Sequence, residues 1–234
     1  MLPQMKTLLV IAVSTISLVG CGGGGSSTSS GAAAITTNFP LLAAYKSRVN
    51  SGATDNFVVS GTCAGNATQI SSAATASTFE GVAGFSAGQT FTANFSNCTP
   101  ASSAATQTGY YDSSYAPLGS VIPNTEYTKY QALPQPIPTT VKIGDTAVLA
   151  TLDVYTSSTK VTKTGQRVIS YVVEQDTATS VFVTIIARAF NTSNQLLFTQ
   201  QSKYRLSDGG ALTVVSIDVQ YSTTSTNHLV YTKQ

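Results

Sequence analysis

Ser180–Asn191 reads SVFVTIIARAFN, and residues 195–206 that follow read QLLFTQQSKYRL. These two segments decide the fold. In the first, Val181, Val183, Ile185, Ala187 and Ala189 stand on one side of an extended chain, and Phe182, Ile186 and Phe190 on the other. Successive strand side chains point to opposite faces, so apolar residues on both sides mark a strand covered on both faces. The second segment is one-sided: Thr199, Gln201, Lys203 and Arg205 alternate outward, as in a half-solvated strand. The NTSN between them (191–194) supplies the residues that a turn requires.

Working outward, residues 147–156, 166–175, 211–222 and 227–232 repeat the strand pattern, with DTAT (176–179) and SDGG (207–210) as turns. Connections this short force neighbouring segments to pair antiparallel, which gives an up-and-down meander. With one strand covered on both sides, the expected fold is all-β: an antiparallel meander forming a sandwich or a strongly curled sheet. Upstream, Phe57 and Val59, then Phe91, Ala93 and Phe95, alternate with polar residues. Residues 79–85 (FEGVAGF) read as another strand or two, kinked at the glycines. Residues 99–139 are less regular, and LPQPIP (133–138) supports only an extended connector.

One helix is expected, over 38–50. Asn38 or Phe39 can cap it, Pro40 suits its first turn, and Leu41, Leu42, Tyr45 and Val49 share a face. Lys46 and Arg48 favour the C-terminal end of the dipole, and Gly52 can close it. Its single apolar stripe should cover one end or face of the sheet.

The start of the chain has a different character. Lys6 precedes Thr7 to Val19, an uncharged run of 13 residues, too short for a hydrocarbon core about 30 Å thick. A basic start, a short apolar middle and small closing residues describe a secretory signal peptide. Its ending, Leu18-Val19-Gly20-Cys21, resembles a bacterial lipobox. That resemblance, confined to residues 5–21, implies a thiol acylated with diacylglycerol, cleavage before Cys21 and a membrane held through the N-terminal lipid. Several acyl chains make such anchoring stable. Gly22 in place of aspartate implies the outer membrane by the same resemblance, and Met5 reads as a start alternative to Met1. Residues 22–34 (GGGGSSTSSGAAA) form a flexible tether with a reach of about 20 Å. The expected organisation is signal peptide 1–20, lipidated cysteine and tether 21–37, and one β-rich domain 38–234, alternatively two lobes at 38–132 and 139–234.

Without residues 1–20 the chain holds eleven basic and ten acidic residues, and only 9% of the whole is charged. Such a neutral chain offers no electrostatic footprint for nucleic acid and no polybasic patch for a bilayer. With Cys21 taken by lipid, Cys63 and Cys98 make an even pair in an exported chain and read as a disulfide.

Candidate chemistry is sparse. Gly84-Phe85-Ser86-Ala87-Gly88 matches G-x-S-x-G, with acids and then His228 in the Ser, Asp, His order of α/β-hydrolases. That motif needs a strand before and a helix after the serine, yet residues 89–97 alternate as a strand; a β-turn is the plainer reading. His228 is the single histidine, and Asp112, Asp145, Asp176 and Asp208 stand singly in turns, so no metal and no cofactor is expected. Tyr110, Tyr111, Tyr115, Tyr127 and Tyr130 are the best binding candidates, because phenol rings give much contact area at low entropic cost. The expected function is a lipid-anchored envelope protein with a non-catalytic binding or structural β domain, its partner an envelope protein or an apolar ligand. A carrier enclosing a hydrophobic ligand in a curled sheet is the alternative, and it calls for an apolar cavity of roughly several hundred Å³. A serine hydrolase using Ser86 is the remote one.

Overall fold

The computed structural model describes residues 38–222 and 227–234; the apolar run, Cys21 and the tether lie outside them. One helix, α1 (Leu41–Ser51), precedes thirteen strands. These are β1 (Ala53–Gly61), β2 (Gly65–Ser71), β3 (Thr75–Phe79), β4 (Val82–Phe95), β5 (Ser102–Asp112), β6 (Pro117–Ile122) and β7 (Glu126–Tyr130). After a connector come β8 (Thr146–Tyr155), β9 (Lys163–Gln175), β10 (Ser180–Asn191), β11 (Leu196–Ser207), β12 (Leu212–Tyr221) and β13 (His228–Lys233).

Every pairing is antiparallel and nearly every strand pairs with its sequence neighbours, as the short turns require. Two further pairings close the sheet. The first strand pairs with the last, Val59 opposite Tyr231, and β2 pairs with β4, Ala67 opposite Ala93. β2 and β3 lie along the same edge of β4, facing 89–95 and 82–86, and act as one strand interrupted at 72–74. The result is a closed twelve-strand barrel. The expected all-β antiparallel meander is what the chain forms, but the expected sandwich or strongly curled sheet is corrected to a closed barrel, which leaves almost no free edge.

The inward and outward alternation continues round the wall, across register shifts at Tyr110/Tyr111, Val148/Ala150, Val154/Tyr155, Ala189/Phe190 and Lys203/Tyr204. Val59 and Phe57 of β1, Phe91 and Ala93 of β4, Ile169 and Val173 of β9, Val183 of β10, Leu206 of β11 and Ile217 of β12 all face inward and are buried. Thr54, Asn56 and Ser60 alternate with them outside, as do Thr92, Asn94 and Lys203. A membrane-spanning barrel needs the opposite order, an apolar outer band. The outer side of β8–β10 departs from this rule with Val148, Val168, Val172, Phe182, Ile186 and Phe190. That is the second apolar face read from 180–191: a local outer patch, not the inner surface of a second sheet.

The two ends of the barrel differ. At one, Cys63 and Cys98 are joined, their Cα atoms 5.7 Å apart, and staple the β1–β2 and β4–β5 connections. At the other, α1 covers the opening, held by paired hydrogen bonds between Phe39 and Val141 of the connector. Its own Leu41 and Ala44 are buried. The helix starts later than expected, with Pro40 at its N-cap and no side-chain cap, and Gly52 ends it at φ 67°.

Two further expectations are refined. Residues 79–85 belong to two strands, as one of the two readings had it: the chain turns at Glu80-Gly81, and β4 then continues through Gly84 and Gly88. Residues 99–139 contain three strands, β5, β6 and β7. Several of their inward positions, among them Gln107, Gly109, Ser120 and Thr128, are small or polar, so the period-two apolar signal was weak.

Candidate functional site

The barrel interior packs unevenly. Phe57, Phe91, Phe95, Leu229 and Tyr231 fill one side, with the Tyr231 ring edge-on to Phe57 and Phe91. Val173, Val181, Ala187, Phe198 and Leu206 fill the other. Between them, under α1, small and polar inward residues of β4–β6 leave a cavity of about 170 Å³. Its ceiling is Leu41, Tyr45, Arg48 and Val49 of α1. Its apolar walls are Leu149, Leu152, Ile169, Val183 and Ile185.

Three phenols surround the upper part. Tyr45, Tyr111 and Tyr204 lie deep in the protein, and the surface they keep faces the cavity. The Tyr45 and Tyr111 rings meet edge to face at 6.3 Å. Burial foremost pushes all three hydroxyls above the ordinary tyrosine range, and those of Tyr45 and Tyr111 are hydrogen-bonded to each other. Arg48 lies over the Tyr204 ring, 5.5 Å from its centroid, and pairs with Asp55, which also takes Lys233 at 2.6 Å.

Arg167 reaches the cavity from β9. Its Nη1 and Nη2 donate to the two oxygens of Glu126, each at 3.0 Å, and its side chain is 2% exposed. Its Nε–H is buried and has no hydrogen-bond partner. The other such atom among the described residues, Thr184 Oγ1, belongs to the outward-facing set of β10. Among the described residues, the charged side chains on the cavity wall are Arg48 and Arg167.

The tyrosines singled out from the sequence do not form one surface. Tyr111 lines the cavity. Tyr110 and Tyr127 stack on Phe79, at 4.3 and 5.5 Å, in a cluster pinned by the β3–β4 turn. Tyr115 stacks on Phe85 and donates to Asn50 Oδ1 of α1 at 2.8 Å. Tyr130 lies beneath the Lys129 ammonium. Ser86 sits within β4, opposite Thr75 and Tyr110, towards the α1 end. His228 opens β13 at the disulfide end with its Nε2 3.0 Å from Asp218 Oδ1. A barrel length separates them, so no triad is assembled, and G-x-S-x-G is strand, neither elbow nor turn. Cys21 lies outside the described residues.

Arg48, Glu126, Arg167 and Tyr204 were missed from sequence. One signal was available: Arg167 falls in phase with Ile169, Tyr171 and Val173, and a charge in step with apolar strand positions is an inward charge. The fold and site thus define a closed antiparallel barrel with a capped lumen. Compared with protein-family models, curated proteins and solved structures, the chain matches none.

Proposed function

We propose that this is an exported, lipid-anchored protein whose barrel binds, without transforming, one small and mainly apolar molecule in its lumen. The observation that carries this reading is the cavity beneath α1, in a barrel whose flanks are otherwise packed. An apolar cavity of about 150 Å³ is known to take up benzene or xenon, so about 170 Å³ suits a substituted ring or a short chain. It falls short of the several hundred Å³ that a lipid carrier requires, which narrows the ligand class. The leash at 22–34 and the lipobox-like residues 18–21 support a domain hung from a bilayer. Membrane attachment through Cys21 predicts an acylated N-terminus by mass spectrometry, and an unmodified Cys21 removes that part.

Binding is tested with ethylbenzene. The melting temperature should rise with the logarithm of ethylbenzene concentration, as mass action demands. Val183→Phe, which fills the lumen, should melt independently of it. A wild-type melting temperature unmoved by saturating ethylbenzene contradicts the reading.

A further inference from the structure

We infer that the lumen selects an uncharged molecule with an amide-like edge, a hydrogen-bond donor beside an acceptor, which pairs with the side-chain amide of Gln69. This rests on the lumen being a binding site and goes on to name its ligand class.

Gln69 stands on the inward side of β2 between Ala67 and Ser71, opposite Asp55 of β1 and Phe91 of β4, and is 5% exposed. It lines the cavity, and among the described residues nothing hydrogen-bonds to its side-chain amide. The buried polar atoms that are both unpartnered and sealed from any opening are Arg167 Nε and Thr184 Oγ1. The Gln69 amide, unpartnered but not sealed, therefore keeps its small exposure towards the space it lines. Its neighbours on that wall are spent on one another. Gln107 Nε2 donates to Gln89 Oε1 at 2.8 Å, and Gln89 Nε2 donates to Ser71 Oγ at 3.5 Å. Buried polar groups are almost always satisfied, so a lone amide facing a cavity marks where a partner belongs.

The chemistry of the amide sets the ligand. Whichever way it is turned, a glutamine amide offers an N–H and a carbonyl oxygen side by side. A ligand that only accepts leaves the carbonyl unpaired, and one that only donates leaves the N–H unpaired. A carboxamide or lactam satisfies both at once. Charge of either sign is disfavoured. Arg48 and Arg167 on the wall are already matched by Asp55 and Glu126, so a charged ligand would be buried without a counter-ion. A carboxylate would in addition set an oxygen against the Gln69 carbonyl. The apolar body of the ligand lies along Leu152, Ile169, Val183 and Ile185.

The test compares four molecules of nearly one shape by calorimetry on the intact protein. Benzamide carries donor and acceptor, acetophenone keeps only the acceptor, ethylbenzene has neither, and benzoate is charged. Benzamide should bind about three- to tenfold tighter than acetophenone, the range for one further neutral hydrogen bond, and tighter than benzoate. Gln69→Met keeps the length of the side chain and removes the amide. It should erase the preference for benzamide over acetophenone while ethylbenzene still binds. Acetophenone or benzoate binding wild type as tightly as benzamide overturns the inference and leaves the lumen as a binding site. A benzamide preference that survives Gln69→Met does the same. Failure of all four to bind overturns the proposed function as well.

Discussion

Arg167 of β9 and Glu126 of β7 meet end-on inside the barrel, two 3.0 Å hydrogen bonds spanning the intervening strand β8. Both are buried, so each neutralises a charge that the interior could not hold alone. Arg167→Met should destabilise the protein by about 3–5 kcal/mol, because Glu126 is then left without its partner. Adding Glu126→Gln should recover most of that loss. Urea unfolding of the two singles and the double measures the coupling; additive effects would mean the pair is not a unit.

The cap on the lumen depends on Gly52. Its φ of +67° places it in the left-handed region, and a Cβ there would lie 2.6 Å from the Ser71 carbonyl oxygen. Gly52→Ala should cost about 1–3 kcal/mol and loosen α1 before the barrel wall. Hydrogen exchange checks this, with faster exchange expected in residues 41–51 and unchanged protection in β9–β11.

Glu80, at the tip of the β3–β4 turn, accepts from Lys160 Nζ at 2.8 Å and from the Tyr127 hydroxyl at 2.5 Å, and lies 3.1 Å from Lys129 Nζ. These partners, Lys160 foremost, lower its carboxyl from 4.5 to about 2. A carboxyl depressed on folding stabilises fully above its unfolded value, and the gain is lost as pH falls from 4.5 towards 2. Denaturant midpoints should therefore fall further for wild type than for Glu80→Gln across that window. The ammonium groups are partly exposed, which limits the difference to about 1 kcal/mol.

The Cys63–Cys98 bridge closes a separation of 35 residues at the end opposite α1. Replacing both by serine should cost about 3.5–4 kcal/mol, on the view that the link mainly restricts the unfolded chain. Thermal unfolding should show it, with the lumen at the far end still binding ethylbenzene.

How far the sequence could be read follows from what each wall segment faces. Strands from 147 onward alternate cleanly because their inner sides meet a packed interior, and the same holds for Phe57 and Phe91. β5 to β7 face the cavity with Gln107, Gly109 and Ser120, so they carried only a weak apolar rhythm and looked like loop. Closure was invisible for a different reason. The pairing of Phe57 with Lys233 joins residues from opposite ends of the chain, and no local pattern encodes such a contact. The site inherits both difficulties: Tyr111 was singled out as one of five clustered tyrosines, whereas Tyr45, Arg167 and Tyr204 converge only once the barrel has closed.

The most direct test is a crystal of the protein pressurised with xenon. The account predicts a xenon peak inside the barrel beneath α1, in contact with Leu152, Ile169, Val183 and Ile185. A lumen filled by its own side chains, with no xenon there under pressure, would contradict it.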